Sequence, residues 1–258
     1  MKALSILLLL SALPVLAAEP FTGTWKMDMA NAKFSQKPFK LELKDGTYRC
    51  PSCDPPITVK ADGMDQAVSG VPGIDTVSAR IVDDHTVEIT DKKAGKVTSH
   101  LKLTTSADGK SVTGEFTDYP QSSDKPVTGT YTMKRAGGAM AGMHAISGSW
   151  VMDKAENVSE NALIATFEQT ADSLKMTQAT GEHYDAKLDG KEYPYGGSRG
   201  TDKVVLKRIG ARGIEETDKL GAKVVATTQM TVSADGRTIT MVVHEHNGEV
   251  STFVFNKQ

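Results

Sequence analysis

One eight-residue segment occurs twice in this chain: Phe21-Thr-Gly-Thr-Trp-Lys-Met-Asp28 returns as Ile146-Ser-Gly-Ser-Trp-Val-Met-Asp153, 125 residues later. Further on the offset becomes 127, as a two-residue insertion produces. Asp62-Gly63 matches Asp189-Gly190, Glu88-Ile-Thr-Asp-Lys92 matches Glu215-Glu-Thr-Asp-Lys219, and Ser106-Ala-Asp-Gly109 matches Ser233-Ala-Asp-Gly236. Self-similarity held in one register across whole copies marks a tandem duplication. The chain therefore divides into a leader at 1–18, a first domain at 19–135, a connection at 136–145 and a second domain at 146–258. The connection, Ala136-Gly-Gly-Ala-Met-Ala-Gly-Met143, is small, uncharged and glycine-rich, and reads as a flexible linker.

Each copy is patterned for strands. Phe39, Leu41 and Leu43 alternate with charged residues; Val77, Ala79 and Ile81 alternate with Ser78, Arg80 and Val82; Val97, Ser99, Leu101 and Leu103 face away from Thr98, His100 and Lys102. A period of two with one apolar face marks half-buried antiparallel strands. Turns built on Asp or Gly separate them at short intervals, among them Asp45-Gly46, Asp62-Gly63 and Ala94-Gly95. The fold class is all-β, with two homologous antiparallel barrels and a β-sandwich as the alternative.

Gly23-Thr24-Trp25 and Gly148-Ser149-Trp150 occupy the same position at the head of each copy. Copy one also carries Thr117-Asp118-Tyr119 and ends on Lys134-Arg135. In these motifs and their order the chain resembles the lipocalins and related calycin barrels, whose first strand carries Gly-x-Trp. Copy two departs from the pattern, with His244-Glu245-His246 in place of the triplet and Lys257 near its end. The resemblance implies a barrel plugged at one end by the Trp.

Met1-Lys2 followed by an apolar run to Leu16, then Ala17-Ala18, has the form of a secretory signal peptide. The run is shorter than the roughly 20 residues of a spanning helix, so the mature chain is expected to be periplasmic or secreted and not an integral membrane protein. A formal net charge of -2 gives no basic field for nucleic acid.

Cys50-Pro51-Ser52-Cys53 holds the only two cysteines. A redox couple, half of a metal site and a structural disulfide all fit such spacing; the proline-rich loop context and the exported setting favour the disulfide. His244 and His246, two apart on a strand, share a face and form a candidate metal pair. Gly196-Gly-Ser-Arg-Gly200 is a candidate anion cradle through Arg199, and a hairpin loop otherwise. The repeated pairs Asp91/Lys92 and Asp218/Lys219 are placed in turns as solvated surface. No nucleophile–base signature and no cofactor motif is found.

The expected function is a non-enzymatic binding protein for a small hydrophobic or amphiphilic ligand. Its cavity is assigned to the inward stripe of Trp25, Met27, Leu41, Val77, Ile81 and Leu101, with Trp150 and Met152 from copy two. A cell-envelope interaction protein with filled cores, and a metal- or thiol-dependent enzyme, are the alternatives.

Overall fold

A computed structural model describes residues 19–258; the leader read at 1–18 lies outside the described residues. The first repeat contributes β1 (Gly23–Met27), β2 (Phe39–Lys44), β3 (Thr47–Cys50), β4 (Ile57–Lys60), β5 (Gln66–Ala67), β6 (Thr76–Asp83), β7 (Thr86–Lys93), β8 (Lys96–Thr105), β9 (Ser111–Asp118) and β10 (Val127–Arg135). The second contributes β11 (Gly148–Glu156), β12 (Ile164–Gln169), β13 (Ser173–Gln178), β14 (His183–Lys187), β15 (Asp189–Gly196), β16 (Lys203–Arg208), β17 (Gly213–Leu220), β18 (Lys223–Val232), β19 (Thr238–Glu245) and β20 (Val250–Lys257). Tight turns make the meander possible. At Asp45-Gly46 both residues take positive φ, 49° and 68°, the backbone of a two-residue hairpin turn matched to strand twist.

Both lobes are antiparallel barrels, as alternation and hairpin spacing predict, rather than a sandwich. Their membership is offset by one strand from the sequence repeats. β12 to β20 follow one another in order, and β1 fits between β12 and β20 to close that barrel with hydrogen bonds. β11 instead joins the first repeat, pairing with β10 on one side and β2 on the other. The first barrel is thus β2 to β11, a barrel-shaped sheet in which the β4–β5 connection meets β6 at a single bridge, Asp62 to Arg80. The copies have exchanged their Gly-x-Trp strands. A boundary within 136–145 separates the repeats but not the barrels.

Each Trp is fully buried, with its indole N–H donated to a backbone carbonyl four residues earlier: Trp25 to Phe21 at 2.7 Å and Trp150 to Ile146 at 2.9 Å. A cation covers each ring. Arg135 lies 4.1 Å from the Trp150 centroid and Lys257 lies 5.1 Å from that of Trp25. The glycine of each motif makes room for this cation. A Cβ on Gly23 would stand 2.7 Å from Lys257 Cε, and one on Gly148 would collide with Arg135 Nη1.

The connection between the repeats is tied down. Ala136 N–H donates to Ser149 O at 2.7 Å, and His144 N–H to Leu43 O at 3.0 Å. The repeats are further joined near the first barrel by a bridge between Lys33 and Thr252 and by a Ser35 N–H to Ser251 Oγ bond of 3.1 Å.

Candidate functional site: the interior of the first barrel

The period-two alternation that builds the strands aims one row of side chains inward, and in the first barrel this row does not fill the space. A cavity of about 370 Å³ remains, lined by Leu41, Val77, Ile89, Leu101, Leu103 and Met133, among others. Trp150 and Met152 of β11 complete the wall. Apolar pockets of roughly 300–1,000 Å³ with a few placed polar groups are the usual form of small-molecule sites.

The ladder registers orient this cavity. Trp150 pairs with Arg135 at the end of β10, the same barrel end as Ser111 and Thr104. Asp91 pairs with Ser99, which in turn pairs with Asp118, at the opposite end. Trp150 and its Arg135 lid therefore close one end. The lining also includes Phe34, Lys37 and Phe39, Cys53 and Ile57, and Glu249 and Ser251 of the second repeat.

Asp91 is the one acidic group among the first repeat's lining residues. Burial, and then the charge of Asp118, push its carboxyl up to about 6. It has no hydrogen-bond or ion-pair partner among the described residues. Asp118 is exposed at the end of β9, and partial desolvation raises its carboxyl against a hydrogen bond from Ser99 and the charge of Arg199. Tyr48 and Tyr131, both lining the cavity, have hydroxyls raised chiefly by burial. The turn assignment of Asp91 and Asp218 is thus corrected: both stand within strands and line barrel interiors. A β-bulge follows each, between Asp91 and Lys92 and between Asp218 and Lys219. Bulges re-aim side chains at functional positions. The signal was in the sequence, since Val87, Ile89 and Asp91 fall on one face by period-two counting.

The second barrel holds a smaller cavity of about 260 Å³, with Met27, Met176 and Phe255 in its wall. Its acidic content is greater. Glu216 and Asp218 both line it, and Tyr184 donates its hydroxyl to Glu216 at 2.6 Å. Burial raises both carboxyls, and the Glu216 charge raises Asp218 further. Asp218 Oδ1 is buried without a hydrogen-bond partner among the described residues.

Of the residues assigned to a cavity from sequence, Leu41, Val77, Leu101, Trp150 and Met152 come together in the first barrel. Met27 lines the second, and Trp25 packs in the second barrel's core outside the cavity wall. Both are displaced by the strand exchange. Ile81 is 40% exposed and lines neither cavity. It lies at the far end of β6, beside the register shift between Ile81 and Asp83, where the inward alternation of Val77 and Ala79 lapses.

Cys50 and Cys53 form a disulfide, and Cys53 lines the first cavity. His244 and His246 gather no metal-holding set among the described residues. His246 Nε2 lies 2.7 Å from Asp54 Oδ2, which also accepts from Lys223 Nζ at 2.6 Å. These two bonds hold Asp54 below the usual carboxylate range and tie the cysteine loop to the second repeat. Arg199 packs beside Gly73 and lines a surface pocket together with Asp118 and Glu182.

No protein-family model and no curated protein matches this chain.

Proposed function

We propose that this is an exported, non-enzymatic binding protein that holds a small hydrophobic or amphiphilic ligand inside its first barrel. The observation that carries this reading is the cavity of about 370 Å³ walled by aliphatic and aromatic side chains and stopped at one end by Trp150. A void of that size forgoes the packing contacts a filled core would gain, and an apolar ligand recovers them. The likeness to lipocalins supports the same reading, through a Gly-x-Trp strand whose Trp is covered by the cation that ends the neighbouring strand. Ten strands rather than eight contribute to each barrel here, so the likeness lies in the plugged end rather than in the strand count. An envelope interaction protein with solid lobes would have no use for either cavity.

The test is a titration of the whole mature chain with a neutral apolar fluorophore such as N-phenyl-1-naphthylamine. Trp150 lines the cavity and Trp25 does not, so the Trp25→Phe variant reports on Trp150 alone. Saturable transfer from Trp150 to the probe, abolished by the cavity-filling change Val77→Trp in a variant with native circular dichroism, is expected. Absence of saturable binding by the native chain would refute the proposal.

A further inference from the structure

We infer that the ligand of the first barrel is a cationic amphiphile, whose apolar chain lies along the cavity toward Trp150 and whose amine is held by Asp91. This rests on the binding-protein reading and specifies the ligand's head group.

Asp91 has no evident structural task. Its carboxyl bonds nothing in the described protein, yet it lines an otherwise largely apolar wall. Placing a carboxyl there without a partner is unfavourable. A side chain of the same shape without the charge would remove that cost, so the position is better explained by a partner arriving from outside. The placement also recurs. Asp218 occupies the equivalent site in the second barrel, at the same strand bulge, and Glu245 stands where the first barrel has Asp118. The wall around these groups has diverged, Ile89 being replaced by Glu216 and Leu101 by Thr228. An inward Asp has been kept in both.

The surroundings favour a cation over a neutral donor. Asp118, two strands from Asp91, adds negative charge from outside the cavity wall, and the cation near it, Arg199, shares a surface pocket with Asp118 rather than the cavity. Lys37 and Glu249, also in the lining, carry opposite charges. The rings of Tyr48 and Tyr131 supply faces that attract an ammonium group. The polar end of the cavity lies opposite Trp150, so tail and head are both accommodated in one orientation.

The experiment compares octylamine, octanol and octanoic acid as competitors of the bound fluorophore, with the native chain and with Asp91→Asn, at about pH 8 where the Asp91 carboxyl is ionised. Octylamine should compete best and octanoic acid worst. Asp91→Asn should weaken octylamine by about tenfold to a hundredfold, the worth of a charge-assisted hydrogen bond, and leave octanol unchanged. This variant removes an unfavourable charge, so a melting temperature at or above the native value is expected. If octanol competes but octylamine holds no advantage, or Asp91→Asn leaves octylamine unaffected, the cationic head group is overturned while the cavity reading stands. If the fluorophore itself does not bind, both fall together.

Discussion

The guanidinium of Arg135, the last residue of β10, lies 4.1 Å from the ring centroid of Trp150, a residue of the other repeat. It also donates to the carbonyls of Gly109 at 2.5 Å, Ala145 at 2.8 Å and Ser147 at 2.7 Å. One side chain thus holds the plug of the first barrel, the connection between the repeats and the turn before β9.

Arg135→Ala should destabilise the first barrel by about 2–4 kcal/mol, since it removes hydrogen bonds from a charged group together with the stacked cation. Lys257→Ala should cost about 0.5–1 kcal/mol, because Lys257 offers the second barrel chiefly a cation over Trp25. Arg135→Lys should not restore the native value, as an ammonium cannot reproduce the planar fork. Urea unfolding of the three variants gives the ranking, and equal costs for Arg135→Ala and Lys257→Ala would contradict it.

Trp25 belongs to the first repeat in sequence and to the second barrel in space. Trp25→Ala should therefore cost about 3–5 kcal/mol in the second barrel, by loss of a fully buried indole. Hydrogen exchange should quicken across 164–257 and stay slow across β6 to β10. Trp150→Ala should show the opposite map. Loss of protection in the repeat that carries each Trp would refute the exchange of strands.

Asp91 makes the first barrel sensitive to pH. Its folded carboxyl is pushed up to about 6 from an ordinary value of 3.8, so the folded state binds the proton more tightly than the unfolded chain. That contribution is fully present below about pH 4 and is lost as pH rises through about 6. Tyr48 and Tyr131 line the same cavity, and Asp118, two strands away, adds its charge from outside the wall. The loss attributable to Asp91 is on the order of 3 kcal/mol. Comparing native and Asp91→Asn melting temperatures between pH 4 and 8 isolates it; identical slopes would show that Asp91 is not a buried acid.

The disulfide closes a loop with a sequence separation of 3, so its removal should cost only about 1–2 kcal/mol. Cys50→Ser with Cys53→Ser is expected to fold and to keep the apolar cavity. Fluorophore affinity of the double variant checks this, and loss of binding in a folded protein would give the cysteine loop a direct part in the site.

Two repeats, strands with one apolar face, the turns between them and a glycine two residues before each Trp are legible in the residues alone. Those follow from local chemistry: a period of two, residues that tolerate positive φ and the absence of a Cβ. Which barrel each first strand completes emerges only in the folded chain. The two Gly-x-Trp strands are nearly alike and present the same hydrogen-bonding edges, so the local pattern of either strand suits either barrel. In the folded chain β11 lies between β10 and β2, and β1 fills the gap between β12 and β20. The interior was decided in the same way. Alternation assigned Asp91 a face, but whether that face met solvent or a cavity depended on ten strands curling around it.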